Sequence, residues 1–462
     1  MKPRKLALLF LLLGFGAVIE TAYGLKTRMA IGPAGCRILT GKFQGPSYAF
    51  ESEETKQGLP AELQLEVENA FGEVRVFKGE PGKLRLRVRK VVFAPSEDKA
   101  RAFAAGITTR AELTGGVLRV TSNRRELEQA NDTGFETHLT IEAPPGTRVK
   151  VQNEHGPVNL ADVAEAKVWS SYDAVRVERI AGPAEIDSRH ADVFAEKIDG
   201  TLSLFTRHGN AEVRDVAKAT TLTVEHGDLA VARVASLKAT VQYSDVSAED
   251  VAGELELHGR HASLKAARIK GRAIVDTTYR DVTLRSVEMD VRVKTEHGGV
   301  TADAIKGALN VEASYDDVEA SDIGGPIEVR VAHGGFKGSN LKQGARVQAS
   351  GDDVEIRAFE GPIEVATQRG GVRLSPDKPI VDGVSVVATR GAIHLQVPAG
   401  SRFDLEASAT RGEVQVDLPQ LTINESSSSR MKAKLGTGGK MVSLRCEHGD
   451  ITVEARTAAA SK

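Results

Sequence analysis

Val149-Lys150-Val151-Gln152-Asn153-Glu154-His155-Gly156-Pro157-Val158 opens a pattern that returns, with changed residues, as far as about Asp377. Its marker is the imidazole. After His155 come Tyr172, His190, His208, His226, Tyr243, His261, Tyr279, His297, Tyr315 and His333, then Gly351 and Arg369, at steps of 18 residues with two of 17. Apolar residues keep fixed offsets from this marker. Six before it stand Val149, Ala166, Ala184, Leu202 and Leu255; four before it stand Val151, Val168, Ile186, Leu204 and Val275. Three after it stand Val158, Val175, Val193, Leu229 and Val282; eight after it stand Val163, Ile180, Ile198, Val216 and Val234. A constant period of this length means stacked supersecondary units, not an ordinary globule.

The residue types say what each unit is. The first two apolar columns lie two apart, the alternation of a strand. Gly, Asp or Ser follows the marker in most units, as in His226-Gly227-Asp228, and these residues tolerate the left-handed backbone of a tight corner. A second short strand follows, and a further corner carries the lone Val or Ile. No single coil can hide its apolar side, so coils must stack and share an interior. The expected fold is all-β: a single-stranded β-solenoid of 18-residue coils, with the right-handed parallel β-helix favoured by the general rule for crossovers.

Six regions are expected. Lys2, Arg4 and Lys5 precede the apolar run Leu6–Ile19, and Ala22-Tyr23-Gly24 offers a cleavage site, so 1–24 reads as a secretory signal peptide or an uncleaved N-terminal anchor. Residues 25–58 are polar and aperiodic, a linker. Residues 59–147 form an N-terminal β unit, in which Phe71 occupies the marker column and Ser96 caps one helix that plugs the end of the solenoid. The regular solenoid spans 148–377, a less regular C-terminal pass 378–455, and a tail 456–462. Export follows from the first segment: periplasm, outer surface, or membrane anchorage through that segment alone. Cys36 and Cys446 are too few for a disulfide framework.

Charge narrows the function classes. With 61 basic and 63 acidic residues the net charge is −2, which does not supply the basic face that nucleic-acid phosphates require. No nucleophile elbow, zinc-protease helix, phosphate loop or clustered cysteine site occurs, so no catalytic residues and no cofactor are expected. Eight of eleven His, counting His448, and four of six Tyr occupy the marker column, which reads as a structural ladder of stacked rings sharing the interior parity; metal binding is the alternative, weakened by the interrupting Tyr. Asp at the corners, as in Tyr315-Asp316-Asp317, reads as turn chemistry, with calcium as the alternative. The residue five before the marker is polar or charged in most coils, a solvated face on which Arg346 and Glu364 alternate in sign. Three before the marker, on the outward parity, stand Trp169, Asp187 and Phe205: a candidate ligand-binding set, since two flat aromatics flanking an acid can grip a sugar ring.

The stretch Leu139–Val151 with its Ala143-Pro144-Pro145-Gly146 turn, the following Asn153-Glu154-His155-Gly156-Pro157-Val158, and the chain of Gly/Asp corners before Val-x-Val resemble the bacterial putative-adhesin family, a domain of unknown function. The resemblance spans about residues 60–455. It implies an extracytoplasmic, non-enzymatic β-solenoid and carries no catalytic residues to transfer. The His and Tyr markers depart from the more usual polar residue, so no binding detail follows. The reading is thus an adhesin-like binding or scaffold module at the bacterial envelope, with envelope glycans or surface proteins as partners. The alternatives are a solenoid polysaccharide lyase or hydrolase, and an envelope-stress sensor component.

Overall fold

The computed structural model describes residues 27–32, 35–40, 43, 45–130 and 133–456. The described chain is nearly all β in class, in stacked parallel coils of about 18 residues, as the period requires. It divides into two compact units, residues 1–199 and 200–462. The signal or anchor segment 1–24 lies outside the described residues, as does 457–462. Among the described residues no helix is long and apolar enough to cross a membrane.

In the first unit, strands Gln64–Phe71, Arg148–His155, Glu165–Ser170 and Ala184–Ser188 stack parallel. The offsets read from sequence become columns: Leu65, Val149, Ala166 and Ala184 on one, Val67, Val151, Val168 and Ile186 on the next. None of these eight side chains is more than 2% exposed. The second strand of each coil, such as Val158–Ala161 and Val175–Ile180, stacks likewise. β-branched residues suit this interior because their stiff side chains pack across the pleat.

The first coil is closed by an insertion between Lys78 and Arg148. Strand Val117–Ser122 pairs with Gln64–Phe71, and strand Phe135–Ala143 with Val74–Lys78, so the open edges are met by strands. The expected helix exists, as α1 (Glu97–Gly106) with Ser96 as its N-cap. It does not plug the coil. Its Ala100 and Ala104 pack with Val92, Ala94, Ile107 and Phe135, on the sheet of strands Ser47–Gln57 and Lys83–Phe93. Residues 47–57 are therefore not a linker: they run antiparallel to Lys83–Phe93 over eleven residue pairs. Tyr48 and Phe50 pack against the α1 cluster, an apolar alternation hidden among acids. A hairpin, Thr27–Gly32 with Gly35–Thr40, precedes it. A second helix, α2 (Arg124–Ala130), was not expected.

In the second unit the same two-strand coil repeats from Leu202 onward. The looser C-terminal pass has a specific cause. The last long strand, Lys440–His448, lies between Val384–Arg390 and Phe403–Arg411, parallel to both. A hairpin, Leu421–Ser426 with Arg430–Leu435, pairs antiparallel to Phe403–Arg411. Spatial order departs from chain order here, so a fixed sequence period cannot persist.

The corners explain the outward columns. His208, His226, Tyr243, His261 and Tyr279 have φ between 53 and 69°. The backbone turns at the marker, so the ring swings out and leaves the interior to the residue two before it. Thr206 and Thr277 there are no more than 1% exposed, whereas Tyr243 and Tyr279 are about half exposed. The ring column thus stands outside the corner, not on the interior parity. At one such corner successive coils approach too closely for a side chain after the marker: a Cβ on Gly227 would lie 2.0 Å from Gly209 O.

A second left-handed column, seven after the marker, is absent from the sequence reading. It includes Asp162, Arg179 and Lys197 in the first unit, and Asp215, Arg233, Asp250 and Arg268 in the second, with φ between 52 and 58°. Ion pairs follow it: Arg179 Nη2 to Asp162 at 2.8 Å, Arg233 Nε to Asp215 at 2.6 Å, Arg268 Nε to Asp250 at 2.6 Å. The column five before the marker pairs too, with Lys167–Glu185 and Lys238–Glu256 at 3.0 Å.

Candidate ligand-binding cleft

Trp169 and Asp187 lie in a cleft of the first unit with a volume of about 630 Å³. Its floor is two outward columns. Three before the marker, Glu68, Gln152, Trp169 and Asp187 stand in register on successive strands. One before the marker come Ala70, Glu154, Ser171 and Arg189. The coil backbone fixes both rows, so the side chains rise from a rigid surface about 4.8 Å apart along the stack. Trp169 is half-buried, with Lys150 Nζ 5.7 Å from its ring centroid.

The opposite wall is the segment Thr121–Glu126 with Glu128. Arg124 anchors it. This guanidinium is nearly buried, donates to Phe135 O at 2.7 Å and to Glu128 at 2.8 Å, and lies 4.2 Å from the Phe71 ring and 4.3 Å from the Phe135 ring. Burial pushes its pKa down, and the carboxylates of Glu128, Glu136 and Glu154 oppose that shift. Asn123 ties α2 to the end of α1, donating from Nδ2 to Gly106 O at 2.9 Å and accepting from Thr108 N at 2.8 Å.

Beneath the floor lie Asn69 and Asn153, adjacent in register, 8% and 3% exposed. Each carboxamide nitrogen donates to Gly72 O at 3.1 Å, with further bonds to Thr137 O at 3.0 Å and Gly156 O at 2.7 Å. Neither Oδ1 has a hydrogen-bond partner. Leaving a buried carbonyl unmatched is costly.

Phe205, the third residue of the expected set, belongs to the second unit. It pairs in register with Thr223, and the Arg207 guanidinium lies 5.9 Å from its ring. The structure therefore joins Trp169 and Asp187 in one cleft and adds Glu68, Gln152 and Glu154, which the sequence reading passed over. A signal was present: with Phe71 in the marker column, Glu68 and Gln152 fall at the same offset as Trp169. Asn123 with Glu126 three residues on is likewise a helix-start pattern.

The ladder residues stack within each unit. In the first, Phe71–His155, His155–Tyr172 and Tyr172–His190 centroids are 4.2, 4.5 and 5.4 Å apart. In the second, His208–His226, His226–Tyr243, Tyr243–His261 and His261–Tyr279 lie 5.0, 4.9, 4.8 and 4.4 Å apart. Tyr279–His297, His297–Tyr315 and Tyr315–His333 follow at 4.6, 4.2 and 4.9 Å. Among the described residues no three His, Cys, Asp or Glu side chains gather as a metal site would. The corner aspartates stitch coils: Asp281, Asp317 and Asp353 accept from Gly299 N, Gly335 N and Gly371 N at 2.9, 2.8 and 2.6 Å. Cys446 is free and buried, which pushes its thiol pKa up.

A larger groove, about 1010 Å³, runs along the second unit beside the left-handed column. Its Arg233, Arg268 and Lys306 already pair with Asp215, Asp250 and Glu288. The smaller cleft is the better candidate because its polar groups are less committed to one another.

The architecture is that of a β-solenoid. Residues 335–454 match the Toastrack family, DUF4097, in keeping with the resemblance to a domain of unknown function. No curated protein matches the sequence. Among solved structures, the chain is similar to that of a "putative cell adhesion protein" from Clostridium sporogenes, at 9% identity and a TM-score of 0.15, covering 88% of this chain and 100% of that one.

Proposed function

We propose that this protein is an exported, non-catalytic binding module of the bacterial envelope, and that its ligand is a glycan lying along the Trp169 cleft. One observation carries the reading: a half-buried indole flanked in register by Gln152 and Asp187, with Glu154, Ser171 and Arg189 one column away. A sugar presents a C–H face to an aromatic plate and a rim of hydroxyls to polar side chains, and the cleft supplies both. Repetition of coils suits a module held at a surface and engaging several contacts at once.

A glycan array probed with the full chain and with Trp169→Ala tests this directly. Binding to a defined glycan class that is lost in the variant is expected; no bound glycan, or equal binding by both proteins, removes the proposal. Reducing-sugar release from a polysaccharide panel would place the protein among enzymes instead. Recovery in the cytosolic fraction would refute export.

A further inference from the structure

Resting on the glycan reading, we propose that the cleft selects sugars carrying a free amine, an unacetylated hexosamine being the simplest. The argument is a count of donors and acceptors. Five carboxylates line the cleft against three guanidinium groups. Arg124 is committed to Glu128 and to Phe135 O. Among the described residues, the carboxylates of Glu68, Glu126, Glu154 and Asp187 form no hydrogen bond or ion pair; Arg119 and Arg124 reach Glu68 and Glu154 only through the field of their charge, and Arg125 and Arg189 are the remaining cations of the lining.

The independent observation is the pair of buried carboxamides. Asn69 and Asn153 line the same cleft, and each keeps an Oδ1 acceptor without a donor. Ionised carboxylates only accept, so a ligand that meets them must donate. Hydroxyls donate one hydrogen each; an ammonium donates three and carries the charge that opposes the acidic row. N-acetylation removes that charge and leaves a single N–H. A sugar ring on Trp169 has Asp187 on the same column one coil on and Glu154 on the neighbouring outward column one coil back, so its amine meets a carboxylate on either side.

The test is calorimetric titration of the full chain with β-linked glucosamine oligomers and with their N-acetylated counterparts, in mildly acidic buffer where the sugar amine is charged. We expect the free-amine oligomers to bind about tenfold or more tightly, the scale of one charge-assisted contact. Asp187→Asn, which breaks no bond within the protein, removes most of that preference, and Glu154→Gln with Asp187→Asn abolishes it while the melting temperature holds. Equal binding of both oligomers, or preference for the acetylated or an acidic series, overturns the amine proposal and leaves the glycan reading standing. Failure of every glycan to bind removes both.

Discussion

The coils of the first unit and those of the second share one backbone plan and differ in what they turn outward. Around Trp169 the outward rows change residue at every step, from Glu68 through Gln152 to Asp187, and several of these side chains find no partner in the protein. The left-handed column, by contrast, is largely self-satisfied in both units, as Arg179 answers Asp162 in the first and Arg233 answers Asp215 and Arg268 answers Asp250 in the second. Columns closed on themselves stabilise a stack. Columns left open offer groups to something else. The interior does not distinguish the units at all, which separates the requirement for stacking from any requirement for binding.

The largest effect should therefore be blind to the comparison. Val151→Asp in the first unit and Val293→Asp in the second each place a charge in a fully buried column. Each should cost about 3–5 kcal/mol, the scale of an unpaired buried charge. Thermal melts of the two variants should fall together; a substitution tolerated in one unit alone would show that the interior is not one design.

The next effect should divide the units. Asn153→Ala takes away the donor serving Gly72 O and Gly156 O, for an expected loss of about 1–3 kcal/mol. The equivalent position in later coils is occupied by Val224, Val241 and Val331, so an apolar residue is acceptable wherever the corner bonds itself. Denaturation showing no loss for Asn153→Ala would mean that the carboxamide is idle.

How much of this was legible in the sequence follows from the same division. Strict columns announce themselves: the Val, Leu and Ile offsets and the His/Tyr marker are one residue class repeated, and they yielded the coil. The cleft was legible only through Trp169 and Asp187, because a site made of unlike residues has no period to detect. Residues 47–57 read as linker since Glu51, Glu53 and Glu54 follow Tyr48 and Phe50 and no further apolar alternation announces the strand. The intercalated strand Lys440–His448 was invisible for a different reason: a period along the chain carries no information once spatial order and chain order part.

Trp169→Ala and Tyr243→Ala compare two aromatic side chains with opposite roles. The first should weaken glycan binding by about tenfold and leave stability little changed. The second removes a ring stacked at 4.9 and 4.8 Å on its neighbours, so it should cost about 0.5–1.5 kcal/mol of stability with binding untouched. Binding assays and melts on both proteins should give the crossed result; parallel losses would erase the distinction between ladder and site.

The smallest effect concerns the closed column. Hydrogen bonding to Arg179 holds the Asp162 carboxyl below its ordinary value of 3.8. A carboxylate with a depressed pKa contributes stability that is present above the unfolded value and lost as pH falls through the folded one. The window thus lies below pH 3.8, and the contribution is small because both side chains are more than a third exposed to screening water. Asp162→Asn should lower stability by under about 1 kcal/mol at neutral pH and by nothing in strong acid, where the native carboxyl is protonated as well. High salt should narrow the neutral-pH difference further, since the pair is exposed. A variant that remains equally impaired in acid would show that Asp162 acts through its left-handed backbone, φ 58°, rather than through its charge.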